Sequence, residues 1–165
     1  MQNTPRTPLD ALEIRRLGTL NGNNTSVTMN IFKVIGSVEI LTAHGEVMDV
    51  TTLTNMTAVY TDLWDGTTAV NITANGAILS GAPVGSLIIK QKDSTNAMIT
   101  VLANQARVTE PANDKKTHQP FIVTQKNGVD TYIRMNYTTT DAPIDAQILF
   151  IVKYRPIDGG SITLA

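Results

Sequence analysis

The sequence predicts an all-β fold, either an antiparallel β-sandwich or a jelly-roll-like barrel. The first observation is a series of about eight to ten short segments in which apolar and polar residues alternate. Turn-forming residues separate these segments at intervals of roughly ten positions. The second observation is Asp145–Tyr154, which is apolar on both faces through its middle. A strand of that kind lies inside a sandwich or barrel, because both of its faces are covered.

The central element of the predicted fold is a hairpin within Ile31–Val50. In Ile31–Leu41, apolar and mostly β-branched residues recur at every second position, as expected of a half-buried strand. His44-Gly45 is predicted to reverse the chain, and Glu46–Val50 is predicted to return beside the first strand. The following stretch, Asp49–Met56, is compatible with either a loop or an edge strand.

Three further hairpins are predicted, each from two alternating segments that flank turn residues. Together with the central element and Asp145–Tyr154, they supply the strands of the core. The three are Thr57–Leu63 with Thr67–Thr73 across Asp65-Gly66, Leu87–Lys92 with Ala97–Leu102, and Phe121–Gln125 with Val129–Tyr137 across Lys126-Asn127-Gly128.

The predicted domain organisation is an N-terminal arm (1–24), a β-domain (25–156) and a C-terminal tail (157–165). Within the arm, Thr7 is a candidate helix N-cap and Pro8 suits the first helical position, which predicts a short helix over Pro8–Leu17. A disordered leader is the alternative for the arm. The candidate partner-binding residues of the arm and the tail are Thr7, Pro8, Leu9, Leu12, Ile14, Leu17, Ile162 and Leu164.

Hydrophobic contacts alone are not expected to hold this arm in place. Burying its four large aliphatic side chains would contribute about 6–12 kcal/mol. Ordering its backbone over about 20 residues costs about 20–40 kcal/mol. The arm therefore needs backbone hydrogen bonds as well, for example by adding a strand to the sheet edge of a partner. We expect it to be mobile in the isolated protein and fixed by neighbouring subunits in an assembly.

The composition excludes several classes of function. The chain has 165 residues, a formal net charge of −1 and 16% charged residues, so it has no basic surface for binding nucleic acid. It contains no cysteine, which excludes disulfides, thiolate zinc sites and cysteine nucleophiles. No apolar run approaches the roughly 20 residues of a membrane span. We expect a soluble protein of one main domain, made in the cytoplasm, without a cofactor and without a membrane partner.

Residues that could support catalysis are few. His44 and His118 are predicted to lie in a turn and a polar loop, and two histidines are too few for most metal sites. Asp62 and Asp65 flank Trp64, an arrangement that could serve a sugar site, because an aromatic face stacks on a pyranose ring and carboxylates cleave glycosides. The alternative is a hairpin turn whose tryptophan fills the core beneath it. The sequence therefore predicts a protein that is not an enzyme, with Trp64 as a possible ligand-facing aromatic.

Two stretches resemble structural proteins of tailed bacteriophages. The first is Ile31–Val38 (IFKVIGSV) followed by Thr42–Val47 (TAHGEV), which resembles an "fxVtGxv" strand and its "xGxV" return in those proteins. The second is Lys153–Ile162 (KYRPIDGGSI), which is similar to their closing "YxPLxxGaxv" segment. Arg155 occupies a position that is often apolar in the family, and the arm has no counterpart that we can match.

The resemblance implies a non-enzymatic virion protein, most similar to the decoration, or cement, proteins of the capsid exterior. Such proteins commonly form homotrimers that bind the major capsid protein and stabilise the lattice. By this implication the arm and the tail would make the lattice contacts. The alternative function is a carbohydrate- or receptor-binding β-module of a phage fibre or adhesin, for which the low aromatic content of 5% offers little support.

Overall fold

The computed structural model describes residues 10–52, 56–76, 79, 81–90, 94–101, 103, 120–140 and 144–165. Within these ranges the chain forms nine strands and no helix. The strands are β1 (Leu12–Gly22), β2 (Ser26–Thr52), β3 (Met56–Trp64), β4 (Ala69–Asn71), β5 (Leu87–Ile89), β6 (Ile99–Val101), β7 (Phe121–Thr124), β8 (Thr131–Thr139) and β9 (Ile144–Leu164).

The strands pair antiparallel in one sheet with the order β1-β9-β2-β8-β3-β4. Strand β5 pairs with β2 and β6, and β7 pairs with β2. The sheet does not close into a barrel, because β1 and β4 end this order without pairing with each other. The prediction of an all-β, antiparallel fold is confirmed, whereas a closed barrel is not formed.

Two long strands, β2 and β9, organise the sheet. Strand β9 pairs with one side of β2 from Phe32 to Thr52. The other side of β2 is shared by three strands that follow one another along it, namely β8, then β7, then β5. The buried side chains of β2 and β9 supply much of the hydrophobic core, including Phe32, Ile40, Ile148 and Phe150.

The sheet is irregular along a line that crosses β2 and its two neighbours near Gly36, which we call the corner. On β9, Asp158, Gly159 and Gly160 lie between the partner of Ser37 and the partner of Ile35. On the other side of β2, the connection of residues 125–130 between β7 and β8 lies at the same level. Extra residues of this kind break the ladder and bend a sheet, so the corner lets the long strands change direction.

Glycines make the corner possible. Gly36 and Gly159 have φ angles of 64° and 82°, a region that residues with a Cβ adopt at a cost. Gly160 is needed for a different reason, because a Cβ at this position would lie 1.9 Å from the carbonyl oxygen of Ser37. The backbones of β2 and β9 therefore approach each other at the corner more closely than any side chain allows.

Two of the predicted chain reversals are wrong. Gly45 lies in the middle of β2 without a reversal, and a Cβ there would lie 2.9 Å from Cγ2 of Ile148. This glycine therefore serves close packing between β2 and its surroundings rather than a turn. Lys126-Asn127-Gly128 does not form a hairpin, because β7 and β8 both run antiparallel to β2 and hence in the same direction. It is a local loop at the corner.

The predicted helix over Pro8–Leu17 is also wrong wherever the structure describes it. Leu12–Gly22 forms β1, which pairs with β9 over its whole length, from Leu12 opposite Tyr154 to Gly22 opposite Ile144. The physical reason is that burial alternates along this segment. Ile14, Arg16, Gly18 and Leu20 are more buried than the residues between them, as in a strand with one covered face. Pairing with β9 also provides hydrogen-bond partners for the backbone N–H and C=O groups of every second residue. Residues 1–9 lie outside the described residues.

Other predictions of the strands are confirmed. Strands β3 and β4 form a hairpin around Asp65-Gly66, and β5 pairs with β6. The loop at the first hairpin has four residues, Asp65–Thr68, because Trp64 pairs with Ala69.

The stretch assigned to the C-terminal tail continues β9 as far as Leu164, opposite Phe32, so that it belongs to the sheet.

Candidate functional site

The surface feature that stands out is the edge of the sheet formed by β1. Strand β1 has 11 residues and is the terminal strand of the sheet, with β9 as its partner among the described residues. Glu13, Arg15 and Leu17 project on its exposed face, and Leu17 is 53% exposed. Edge strands of this length offer a row of backbone groups to another chain, and natural proteins usually shorten or cover them.

A contact at the end of β1 identifies the backbone groups that face outward. The hydroxyl of Tyr137 accepts from the N–H of Asn21 at 3.1 Å and donates to its carbonyl oxygen at 2.8 Å. Both groups of Asn21 therefore point away from β9 and toward β8. Because these directions alternate along a strand, Glu13, Arg15, Leu17 and Thr19 also direct their N–H and C=O groups away from β9. Tyr137 covers the edge at Asn21, and burial raises the pKa of its hydroxyl.

The charged side chains of β1 serve two different purposes. On the exposed face, Arg15 pairs with Glu13 at 2.6 Å, and Lys153 of β9 lies 3.5 Å from the same carboxylate. The Arg15 guanidinium is the main reason that the pKa of Glu13 lies below its usual range. On the other face, Arg16 donates to the backbone oxygens of Ile31, at 2.9 Å, and of Ala165. Arg16 thus ties β1 to the rest of the sheet, while Glu13 and Arg15 remain at the surface.

The predicted partner-binding residues do not form one surface. Leu12 and Leu17 are exposed and Ile14 is half-buried, all three on β1. Ile162 is 4% exposed and lies in the core, whereas Leu164 is 59% exposed. Thr7, Pro8 and Leu9 lie outside the described residues. Of the predicted residues that the structure describes, those exposed for contact with a partner are Leu12 and Leu17 on β1 and, separately, Leu164 on β9.

Trp64 ends β3 and takes part in a buried polar network. The guanidinium carbon of Arg134 lies 4.2 Å from the centre of the Trp64 ring, a cation–π contact. Arg134 binds both oxygens of Asp62, at 2.8 and 2.7 Å, and Asn136 donates to the same carboxylate at 3.0 Å. Asp62 is only 1% exposed. The arginine therefore covers one face of the tryptophan, and both oxygens of the Asp62 carboxylate accept hydrogen bonds.

The second carboxylate beside Trp64 is engaged as well. Asp65 lies in the β3–β4 loop and accepts from the backbone N–H groups of Thr67 and Thr68 at 2.9 and 2.7 Å. Lys126 forms an ion pair with it at 2.9 Å. The hydrogen bond from Lys126 is the largest cause that holds the pKa of Asp65 well below its usual range, followed by the two backbone hydrogen bonds. These donors therefore favour the charged form of Asp65.

The core contains a cavity of about 60 Å³ with a mostly apolar wall. Its wall includes Phe32, Ile88 and Phe150, and the polar side chains on it are those of His44, Thr61 and Lys90. The ammonium of Lys90 lies 4.9 Å from the centre of the Phe121 ring. A cavity of this composition can accept a small apolar group.

Two features are absent from the residues that the structure describes, namely a metal-binding cluster and a membrane-spanning helix. No group of three or more His, Asp or Glu side chains is placed to bind one ion in this part of the chain. The described part likewise has no helix that is long and apolar enough to cross a membrane.

Two features of the described structure were not predicted from the sequence. The first is the exposed pair Glu13 and Arg15, which falls within the predicted helix, although the period-two pattern from Ile14 to Leu20 is a signal for a strand. The second is the partnership of Arg134 with Asp62, which join β8 and β3 across 72 residues of sequence. No local pattern could identify that pair, because strand order decides which residues become neighbours.

Comparisons of the chain with protein-family models, with curated proteins and with solved structures find no match.

Proposed function

We propose that this chain is a non-enzymatic structural protein of a tailed-phage virion. In this proposal it is a decoration, or cement, protein that binds the major capsid protein and stabilises the lattice from the capsid exterior. It would act as a homotrimer, without nucleic acid, membrane or cofactor as a partner.

The observation that carries the proposal concerns the stretches that resemble phage structural proteins. Ile31–Val38 and Thr42–Val47 lie in β2, and Lys153–Ile162 lies in β9. Ile31–Val38 and Lys153–Ile162 are distant in sequence but pair with each other in the sheet, and Thr42 pairs with Lys153. The two resembling stretches therefore belong to one structural unit, the paired strands β2 and β9, which strengthens the case for a common fold with phage structural proteins.

Three further features support a role in binding protein rather than in chemistry. The two carboxylates beside Trp64 are engaged in ion pairs. The edge of β1 offers backbone groups and exposed leucines. The low charge content of 16% suits a surface that meets other protein, since the centres of interfaces are depleted in charged groups.

We further propose that the bent sheet packs as a two-layer sandwich. A Cβ at Gly18 of β1 would lie 2.8 Å from Phe150 of β9 and 2.9 Å from Met29 of β2. Met29 lies before the corner of β2, whereas Phe150 pairs with the part of β2 that follows it. If the sheet bends at the corner, the two parts of β2 lie in opposite layers, and Met29 and Phe150 can both contact Gly18 between them.

The test is the composition of purified virions. Virions of a phage that carries this gene are separated into heads and tails, and each fraction is quantified by mass spectrometry against the major capsid protein. We expect the chain in the head fraction in a fixed ratio to the capsid protein, and accessible to protease on intact heads. Its presence in tail fibres alone would favour the receptor-binding alternative, and its absence from virions would overturn the proposal.

A further inference from the structure

The edge of β1 has a charge pattern that is complementary to itself. Glu13 and Arg15 lie two residues apart on the exposed face of the strand. An antiparallel strand that places its Arg15 opposite Glu13 necessarily places its Glu13 opposite Arg15. A second copy of β1 is such a strand.

Only some registers keep both sheets continuous across a two-fold axis. In an antiparallel pair, directly opposite residues project on the same face of the sheet. The two-fold axis must therefore lie midway between the two copies of one residue, which then face each other. We name each axis by that residue. An axis through Glu13, Arg15 or Arg16 would bring two like charges together. An axis through Ile14 pairs each Glu13 with the Arg15 of the other copy, and places Leu17 opposite Ala11.

The outward backbone groups fit this register. Because Glu13, Arg15 and Leu17 direct their N–H and C=O groups away from β9, they would form the hydrogen-bonded pairs with the second copy. Among the described residues, the hydrogen bonds from Tyr137 to the edge lie at Asn21, beyond the segment from Ala11 to Leu17 that this register uses. The exposed Leu17 would gain a neighbour in each copy.

We propose that β1 is a self-association edge, and that two copies of the chain pair antiparallel through it about a two-fold axis at Ile14. The two sheets then form one continuous sheet, with two reciprocal Glu13–Arg15 pairs across the junction. This contact is independent of the proposed function, and in a decoration protein it would link one trimer to the next, since a two-fold contact cannot close a trimer.

The proposal is tested by charge complementation, with the full chain and sedimentation velocity over a range of concentrations. E13R places arginine opposite Arg15 of the second copy, and R15E places glutamate opposite Glu13. Each variant alone replaces two attractive cross-strand pairs by two repulsive ones, which should weaken self-association about tenfold or more. An equimolar mixture of the two variants restores both attractive pairs in the heterodimer, as does the double variant E13R/R15E in its homodimer.

The two rescues separate this contact from a general effect on folding. We expect the mixture and the double variant to return to within about threefold of the wild-type dissociation constant, where each tenfold is about 1.4 kcal/mol. Thermal unfolding of each variant checks that the sheet is intact. Self-association that is unchanged in both single variants, a failure of both rescues, or a wild-type chain without this association step would overturn the proposal. Virion composition does not enter this test, so the two proposals fail separately.

Discussion

Replacing Gly160 by alanine is expected to destabilise the protein by about 3 kcal/mol or more. The new Cβ would lie 1.9 Å from the carbonyl oxygen of Ser37, and that oxygen belongs to the backbone of a central strand. No rotation of a flexible side chain can relieve the overlap, so β2 and β9 must separate at the corner. The measurement is the free energy of unfolding in urea.

The neighbouring Gly159 provides the matched control. It has a φ angle of 82°, and a Cβ there would meet nothing within 4 Å. Gly159→Ala should therefore cost only the strain of a left-handed backbone, about 1–2 kcal/mol. A loss for Gly160→Ala that does not exceed the loss for Gly159→Ala would show that the two strands are not in close contact at the corner.

The second large effect is expected at Asp62. Asp62→Ala removes the carboxylate that binds Arg134 and Asn136, and it leaves the guanidinium largely buried, with its side chain 14% exposed. Breaking a buried pair in this way costs about 3–5 kcal/mol, because the remaining charge is neither solvated nor paired. The loss is measured by urea unfolding at neutral pH.

Two controls make this prediction specific. Asp130→Ala removes an ion pair with Lys33 in which the aspartate is 57% exposed, so its effect should be much smaller. The double variant Asp62→Leu/Arg134→Met removes both charges and should recover a large part of the loss. Equal losses at Asp62 and Asp130, or a double variant no more stable than Asp62→Ala, would mean that the Asp62 pair is not buried as described.

The fold class was predictable because alternation is a local property. The predicted strands Val129–Tyr137 and Asp145–Tyr154 carry their period in a few residues, and the structure has strands at Thr131–Thr139 and Ile144–Leu164. Chain reversals were less predictable, because the residues that make turns also make bulges. Lys126-Asn127-Gly128 has the composition of a hairpin turn, and only the pairing of both flanking strands with β2 shows that it is a loop at the corner.

The N-terminal segment shows both what the sequence can establish and what it cannot. From the sequence, we expect hydrophobic contacts to be too weak to order residues 1–24, so that backbone hydrogen bonds are needed as well. Over Leu12–Gly22 that requirement is met by β9 of the same chain rather than by the sheet of a neighbour, whereas residues 1–9 lie outside the described residues. The spacing of Leu9, Leu12 and Leu17 favours a helix, whereas the period-two pattern that follows favours a strand. The strand wins because it pairs with β9, which lies about 130 residues further along the chain, and no local pattern reveals that pairing.

The most direct test of this account is residue-resolved amide hydrogen exchange in β1, because the account depends on an edge strand with one side paired and one side open. In dilute protein, the amides of Ile14, Arg16, Gly18 and Leu20 should be protected by β9. Those of Glu13, Arg15, Leu17 and Thr19 should exchange rapidly.

Concentrating the protein should then protect Glu13, Arg15 and Leu17 while Thr19 stays unprotected, since the register about Ile14 ends at Leu17. Rapid exchange of every amide from Leu12 to Leu20 in dilute protein would mean that this segment is a mobile arm and would contradict the central claim.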